Sequence, residues 1–384
     1  MRKRAFLILA AILANTVLCT GCWNYREIDN LSIVAGAAVD RAEQGKYKLT
    51  TEIVDLHESG TEPKIKSRKL VSYGDTLFDA VRNTMEITAS RLYWGHVEIV
   101  VISQEVARDG IVDILDFLSR DAEPRLSMDL LISKEKTAGE ILNLQSNTTE
   151  IRSFEINMML DAQKSLSKIL KVQVYEFINA LSGQGISPSM PVIGATENEG
   201  RKTLELSGTA VFKKDKLVYL LDGDESKMLL FATNRIKGGL LVIKNASEDE
   251  KSNITLEILD SKTKIKPEYS NGKLSIRIDV KTKTALGEES KQARTYNEKV
   301  NMSLEKSASK ILKASIEDTI KKVQQDVDVD IYGFGKAVRE DLPALWEKIG
   351  SNWEEVFRNL DVKVNATVEI KDSGLLSKPI RIGD

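Results

Sequence analysis

A basic start, an apolar run and a cysteine open the chain and limit where a folded body can begin. Met1-Arg2-Lys3-Arg4 is followed by an apolar stretch from Ala5 to Leu18, then by Cys19-Thr20-Gly21-Cys22-Trp23. Basic residues before such a run have the layout of an export signal. The run is short for a bilayer span, which takes about 20 apolar residues. Small residues before Cys22 complete the pattern of a bacterial lipoprotein signal, although Cys19 stands where a Leu is usual and Leu18 lies one step further out. Cleavage is expected before Cys22, with lipid attached to its sulfur. The reading is a signal peptide at 1–21, a tether at 22–30, and a body starting near residue 31. With Cys22 lipidated, that body folds without an internal disulfide, as a chain of this size can.

Cys19 and Cys22 also spell C-x-x-C, a spacing used in redox and zinc sites. Here it sits at the end of an apolar segment, with no second cysteine pair and no nearby histidine. A plain secretory signal, or an uncleaved anchor, would account for the apolar run but not for Cys22. Lipidation of Cys22 explains the whole segment best.

At 384 residues the chain has room for two or three domains. A net charge of −2 gives no bulk electrostatic case for nucleic acid. No apolar stretch after Cys22 is long enough to span a membrane.

Periodicity divides the rest. Leu31 to Asp40 reads as a buried strand, with Tyr47 to Leu56 pairing to it across a polar turn. His57 to Leu70 is polar, carries Pro63 and reads as a loop. Asp75 is placed to cap a helix whose Leu77, Phe78, Val81 and Met85 share a face. Strands at 96–103 and 126–133 alternate with helices at 111–118 and 138–144, which argues for an α/β layer with at least one parallel pair. A helix is expected at 165–181. Beyond Asn198-Glu199-Gly200 come a hairpin of 204–212 with 217–221, a helix starting at Asp222 with Glu225 as its capping partner, and a strand to Ile243. Strands follow at 254–259, 263–267 and 274–284, the last two joined at Asn271-Gly272. Leu304, Ala308, Ile311, Leu312, Ile316, Ile320 and Val323 then form one stripe of a long amphipathic helix. Short helices and a strand at 362–370 close the chain. The fold class is mixed α/β and α+β: an N-terminal α/β domain at 31–197, a small central αβ unit at 198–250, an α+β domain at 251–372, and a tail at 373–384.

Constellations for chemistry are missing from this pattern. The two histidines, His57 and His96, have no partner at ligand spacing. No Gly-x-Ser-x-Gly elbow or Ser-x-x-Lys box stands out. Gly333-Phe334-Gly335 is followed by Val338 where a dinucleotide fingerprint needs glycine. Asp326, Asp328 and Asp330 raise the question of calcium, but counting from Asp326 puts Ile331 and Ala337 at the obligatory Gly and Glu places. Asp330 then reads as a helix cap, and Glu197 with Glu199 as a solvated loop. Lys306, Lys310, Lys313, Lys321 and Lys322 form a basic face on the long helix, read as solvated. No catalytic, cofactor or metal residue is assigned.

Three separated segments carry a resemblance. Cys22-Trp23-Asn24 with Glu27-Ile28 and the apolar run to Asp40 resembles the opening of the Ger(x)C family, with Asn24 where Asp is frequent and Ala38 where Gly is common. Gly208-Thr209-Ala210-Val211-Phe212-Lys213-Lys214-Asp215-Lys216-Leu217 looks like its recurrent hairpin. Asp330-Ile331-Tyr332-Gly333-Phe334-Gly335, with Leu342-Pro343-Ala344-Leu345-Trp346 after it, looks like its Asp-x-x-Gly-Phe-Gly segment. Members of that family are lipoprotein C subunits of the nutrient germinant receptors of endospore-forming bacteria. The resemblance implies a tethered interaction subunit and not an enzyme, held to the bilayer through Cys22 at the outer face of the spore inner membrane. It implies integral-membrane A and B subunits as partners, with no nucleic acid and no cofactor. Two rival readings stand beside it: a solute-binding lipoprotein of a transporter, which calls for two similar α/β lobes around a ligand cleft, and an extracytoplasmic hydrolase, which calls for a convergent acid/base or nucleophile pair.

Overall fold

Strand β1 (Leu31–Arg41) is buried from Val34 to Asp40 and pairs on both sides, antiparallel with β2 (Tyr47–His57) and parallel with β5 (Ile99–Ser103). In the computed structural model, which describes residues 2–6, 31–43, 45–57, 64–144, 150–243, 253–289 and 298–372, β1 lies inside a nine-stranded mixed sheet. The order is β3-β2-β1-β5-β6-β7-β8-β9, with β4 (Arg91–Tyr93) beside the start of β1. The strands β1, β5, β6 (Asp129–Ser133) and β7 (Ser189–Asn198) run parallel, as the helix–strand alternation predicts. Antiparallel β2 and β3 (Lys64–Gly74) extend one side, and β8 (Arg201–Lys213) with β9 (Lys216–Leu221) the other.

Both faces of the parallel strands are covered, because successive side chains point to opposite sides. Ala37, Val39, Val100, Ile102, Leu130 and Ile132 join the main core, which also receives Ile114, Leu115 and Leu118 of α3 (Val112–Arg120). Ala38, Ile99, Val101, Leu131 and Ile193 face the other way, against Ile141 and Leu142 of α4 (Ala138–Asn143) and Ile156 and Leu160 of α5 (Arg152–Asp161). Helices α1 (Leu77–Asn83), α2 (Gln104–Asp109) and α6 (Val174–Ser182) complete this part.

A second sheet has four strands in the order β10-β11-β12-β13. Here β10 is Leu240–Ile243, β11 Ile254–Ser270, β12 Lys273–Glu289 and β13 Asp361–Asp372. The hairpin turn at Asn271-Gly272 has φ of 52° and 76°, the left-handed pair that a two-residue turn between twisted strands requires. Between the sheets lies α7 (Gly223–Ala232), started by an Asp222–Glu225 capping box as expected. The long helix α8 (Glu298–Lys322) carries the expected stripe: Ala308, Leu312, Ile316 and Ile320 are buried, Val323 continues it in the π-helical turn that follows, and Leu304 and Ile311 pack against them. Its polar side chains cap the outer edge of β13. Glu317 accepts from the Val364 N–H at 3.2 Å, Ser309 from Val368 at 2.8 Å and Glu305 from Ile370 at 2.7 Å. That edge is therefore closed to pairing with another strand. Three short helices, α9 (Phe334–Asp341), α10 (Pro343–Ile349) and α11 (Trp353–Arg358), join α8 to β13.

Several expectations are corrected. Residues 64–70 belong to strand β3 and not to a loop; as an edge strand it is polar on much of both faces, which hides its period. The helix expected at 165–181 is α6, starting at Val174, while α5 lies upstream. The two strands expected at 254–259 and 263–267 are one strand with a bulge between Ile258 and Asp260. The cap of α1 is Thr76, whose hydroxyl accepts from the Asp79 N–H at 3.1 Å, one residue beyond Asp75.

Candidate functional site

Cys22, its neighbour Cys19, the tether at 22–30 and the tail at 373–384 lie outside the described residues. The body is entered at Leu31, at the start of a strand hydrogen-bonded on both sides. Leu31 thus leads into the interior of the large sheet and not onto an edge strand. No helix among the described residues is long and apolar enough to cross a membrane.

The far end of the parallel strands is where open α/β sheets commonly hold ligands, against helix N-termini. Here the chain fills those positions itself. Asp40, at the end of β1, accepts from the backbone N–H groups of Ala138 at 2.5 Å and Gly139 at 2.9 Å, at the start of α4. Burial pushes its carboxyl up, and the two N–H bonds oppose that shift. Glu52 on β2 does the same for α5. It accepts from the Arg152 N–H at 3.0 Å and from the Ser153 N–H and hydroxyl at 2.7 and 2.6 Å. The buried Arg152 guanidinium pairs with Glu155. Both helix ends already hold an anion, so neither is open to a phosphate or carboxylate ligand.

Several cavities open among the described residues, and two of them bear on a ligand site. One, of about 480 Å³, opens beside Tyr47, Phe78 and Phe117. Its charged lining is largely self-paired: Lys46 with Asp113, and Arg120 with Asp116. The Lys46 contact holds the Asp113 carboxyl below its ordinary range. The other, of about 290 Å³, sits between Gln163, Lys171 and Glu176 on one side and Leu230, Arg235 and Lys237 on the other. Lys171 bridges Asp161 at 2.7 Å and the buried Asp129 at 3.1 Å. Burial raises the Asp129 carboxyl to about 6 against the pull of Lys171. Neither cavity brings together a nucleophile, a base and an orienting third group.

The Asp330 segment forms the joint between the two halves. Its carboxylate accepts from the N–H groups of Tyr332, Gly333 and Gly335 at 2.8–3.0 Å and from the Trp353 indole at 3.0 Å. Burial raises it to about 6, against those donors. The Asp330 carbonyl accepts from the Ser187 N–H at 2.6 Å, and the Lys336 N–H donates to the Gly185 carbonyl at 2.8 Å. Glycines make this approach possible: a Cβ on Gly335 would stand 2.6 Å from the Gly185 Cα and 2.7 Å from the Trp353 ring.

The other sequence candidates are dispersed. Asp326 is exposed, and Asp328 pairs with Arg358. Only Asp330 is buried, so the aspartate run does not converge on an ion. His57 ends β2 and is not in a loop; His96 is exposed, its ring set edge-on to Tyr93. Glu197 and Glu199 are exposed. Among the described residues no three His, Cys, Asp or Glu side chains are grouped to hold a metal. Periodicity missed Glu52 and Asp129, which occupy positions in strands like any other; Asp40 was visible as the end of the opening motif.

Comparisons with known proteins agree with this architecture. Residues 24–195 match the family described as "Spore germination protein N-terminal domain", and residues 207–374 the family "Spore germination B3/ GerAC like, C-terminal". The chain is 26% identical to Spore germination protein KC of Bacillus subtilis (strain 168), covering 98% of each chain. It is 27% identical to Spore germination protein B3 of the same organism, over 94% of this chain and 96% of that one. Among solved structures it resembles the GerBC protein, with a TM-score of 0.56 and 23% identity over 88% of this chain and 97% of that one; this likeness concerns the fold. With both halves matched in order along nearly the whole length, the chain belongs to the Ger(x)C, or GerAC-like, family of spore germination proteins, whose members are not enzymes.

Proposed function

We propose that this protein is the lipid-anchored C subunit of a spore nutrient germinant receptor. Cys22 carries the lipid after removal of 1–21, and the body lies at the outer face of the spore inner membrane. There it works with the integral-membrane A and B subunits in the step between nutrient detection and release of spore contents. The observation that carries this reading is the near full-length match to spore germination proteins in a chain whose Cys22 follows a basic, apolar export segment. The anchor chemistry is consistent: one acyl chain binds a membrane marginally, whereas a diacylglyceryl thioether supplies two chains. The solute-binding reading loses support, since the nine-stranded and four-stranded sheets are not two similar lobes.

Two measurements test the proposal. Mass spectrometry of the protein from spore membranes is expected to find an N-terminus at Cys22 carrying diacylglycerol. A free Cys22 thiol, or retained residues before it, contradicts the anchor. Cross-linking from exposed body positions is expected to capture the A and B subunits. Cross-links to a transporter permease in their place would favour the solute-binding reading.

A further inference from the structure

The outward face of the four-stranded sheet carries a charge pattern that stability alone does not explain. Its inward face is apolar, with Ile276, Ile278, Val280, Val364 and Val368 in the core. Outward, β11 presents Lys262, Lys264 and Lys266 at alternate positions, and β12 presents Lys281 and Lys283. All five are exposed. The register sets Lys262 directly opposite Lys281. Like charges facing each other across a strand pair are destabilising. Alternate residues on a strand lie about 7 Å apart, within a Debye length of about 8 Å at physiological salt, so these lysines act as one field.

The acidic groups on the same face are already engaged. Asp279, opposite Lys264, pairs with Arg277 at 3.3 Å and accepts from Asn365 at 2.9 Å. Glu268 also holds Arg277, at 2.7 Å. Glu369, opposite Lys283 on β13, is held by Lys371 at 2.6 Å, and its carboxyl is drawn down by Lys371 first and then by the charges of Lys283 and Lys281. Asp260, opposite Lys283, lies 4.0 Å from Lys262. Among the described residues, Lys264, Lys266, Lys281 and Lys283 make no ion pair within 4.0 Å, and the field of Glu369 reaches only Lys281 and Lys283 of the four. The chain as a whole is slightly acidic at −2, so this local basic excess runs against the bulk composition.

We propose that this sheet face lies against anionic phospholipid headgroups of the membrane to which the chain is tethered. The side-chain chemistry favours lipid over a protein partner. Lysine is depleted from the cores of protein interfaces, which are built on aromatic, Met and Arg anchors. Lysine is instead a flexible, strongly hydrated point charge, suited to a layer of mobile phosphates. The centre of the face has no large apolar anchor; Leu259 is exposed at the bulge at one end of the lysine row, and Tyr269, in alternation with the lysines, belongs to the opposite face. Binding of this kind sets the orientation of the body, while the lipid tether sets its distance.

The inference rests on the tethered reading, and its test separates the two. Full-length lipidated protein is reconstituted into vesicles of phosphatidylcholine alone and of phosphatidylcholine with phosphatidylglycerol. Flotation with the phosphatidylcholine vesicles reports the tether by itself. A water-soluble amine reagent and mass spectrometry then report each lysine. Labelling of Lys264, Lys266, Lys281 and Lys283 is expected to slow about threefold or more in the anionic vesicles and to recover at about 0.5 M salt. Lys202 and Lys216, on the nine-stranded sheet, should label equally in both. In a variant combining K264Q, K266Q, K281Q and K283Q, all solvent-exposed changes, the protection of neighbouring Lys262 should disappear while flotation persists. Equal labelling in both vesicle types, with flotation intact, overturns the proposal. Protection that appears in phosphatidylcholine only when the A and B subunits are added also overturns it, and gives the face to a protein partner.

Discussion

Asp330 shows how one carboxylate can hold a joint together. It accepts from four buried donors: Tyr332 and Gly333 in the turn before α9, Gly335 in α9, and the Trp353 indole at the start of α11. Asp330→Ala leaves three backbone N–H groups without an acceptor, at about 1–3 kcal/mol each. We expect a loss above about 3 kcal/mol in urea unfolding. Asp330→Asn, which keeps one oxygen, should lose less. The pH dependence has a defined sign. Asp129 and Asp330 are raised from 3.8 to about 6 by burial, so between those values the folded chain binds more protons than the unfolded one. Stability contributed by their protonated forms is present on the acid side and is lost as pH rises through about 6, on the order of 2 kcal/mol for each group. Urea midpoints measured from about pH 4.5 to about pH 7.5 should fall, and the fall should be shallower in Asp129→Asn.

At the scale of elements, the sequence was most legible where one face alone is buried. The stripe of α8, the Asp222 capping box, the parallel β5–β6 pair and the Asn271-Gly272 hairpin all stand where periodicity and turn chemistry put them. It was least legible where polar groups are buried or apolar ones absent. Helix α5 hides Arg152, Ser153 and Glu155 in the interior, so its stripe does not read as apolar. Edge strand β3 needs few apolar residues. The role of Asp330 was visible only as a cap, because its bond to Trp353 and the contact with Gly185 join residues far apart in sequence. That contact makes a sharp prediction. Gly185 has φ of +73° and stands against Gly335. Gly335→Ala forces a Cβ into the Gly185 backbone and the Trp353 ring. Overpacking of this kind costs about 1–3 kcal/mol. Hydrogen exchange should quicken at Ser187 and Lys336, whose N–H groups bridge the halves, while the parallel strands β5 and β6 stay protected.

At the scale of the molecule, the chain enters the large sheet through the central strand β1, and the N-termini of α4 and α5 are occupied by Asp40 and Glu52 of the chain itself. On the proposed reading, a tether at Cys22 would raise the effective concentration of the body beside the membrane subunits, so that weak contacts would suffice there. The most direct test of the central claim is a comparison of Cys22→Ala spores under two triggers, with the protein's level and location followed by immunoblot. It is made in a strain where this is the only receptor of its kind. The account predicts a folded protein lost from the membrane, an impaired nutrient response, and unchanged germination by a route that bypasses nutrient receptors. A normal nutrient response with the protein no longer membrane-bound would contradict the tethering claim, and equal loss under both triggers would contradict a receptor role.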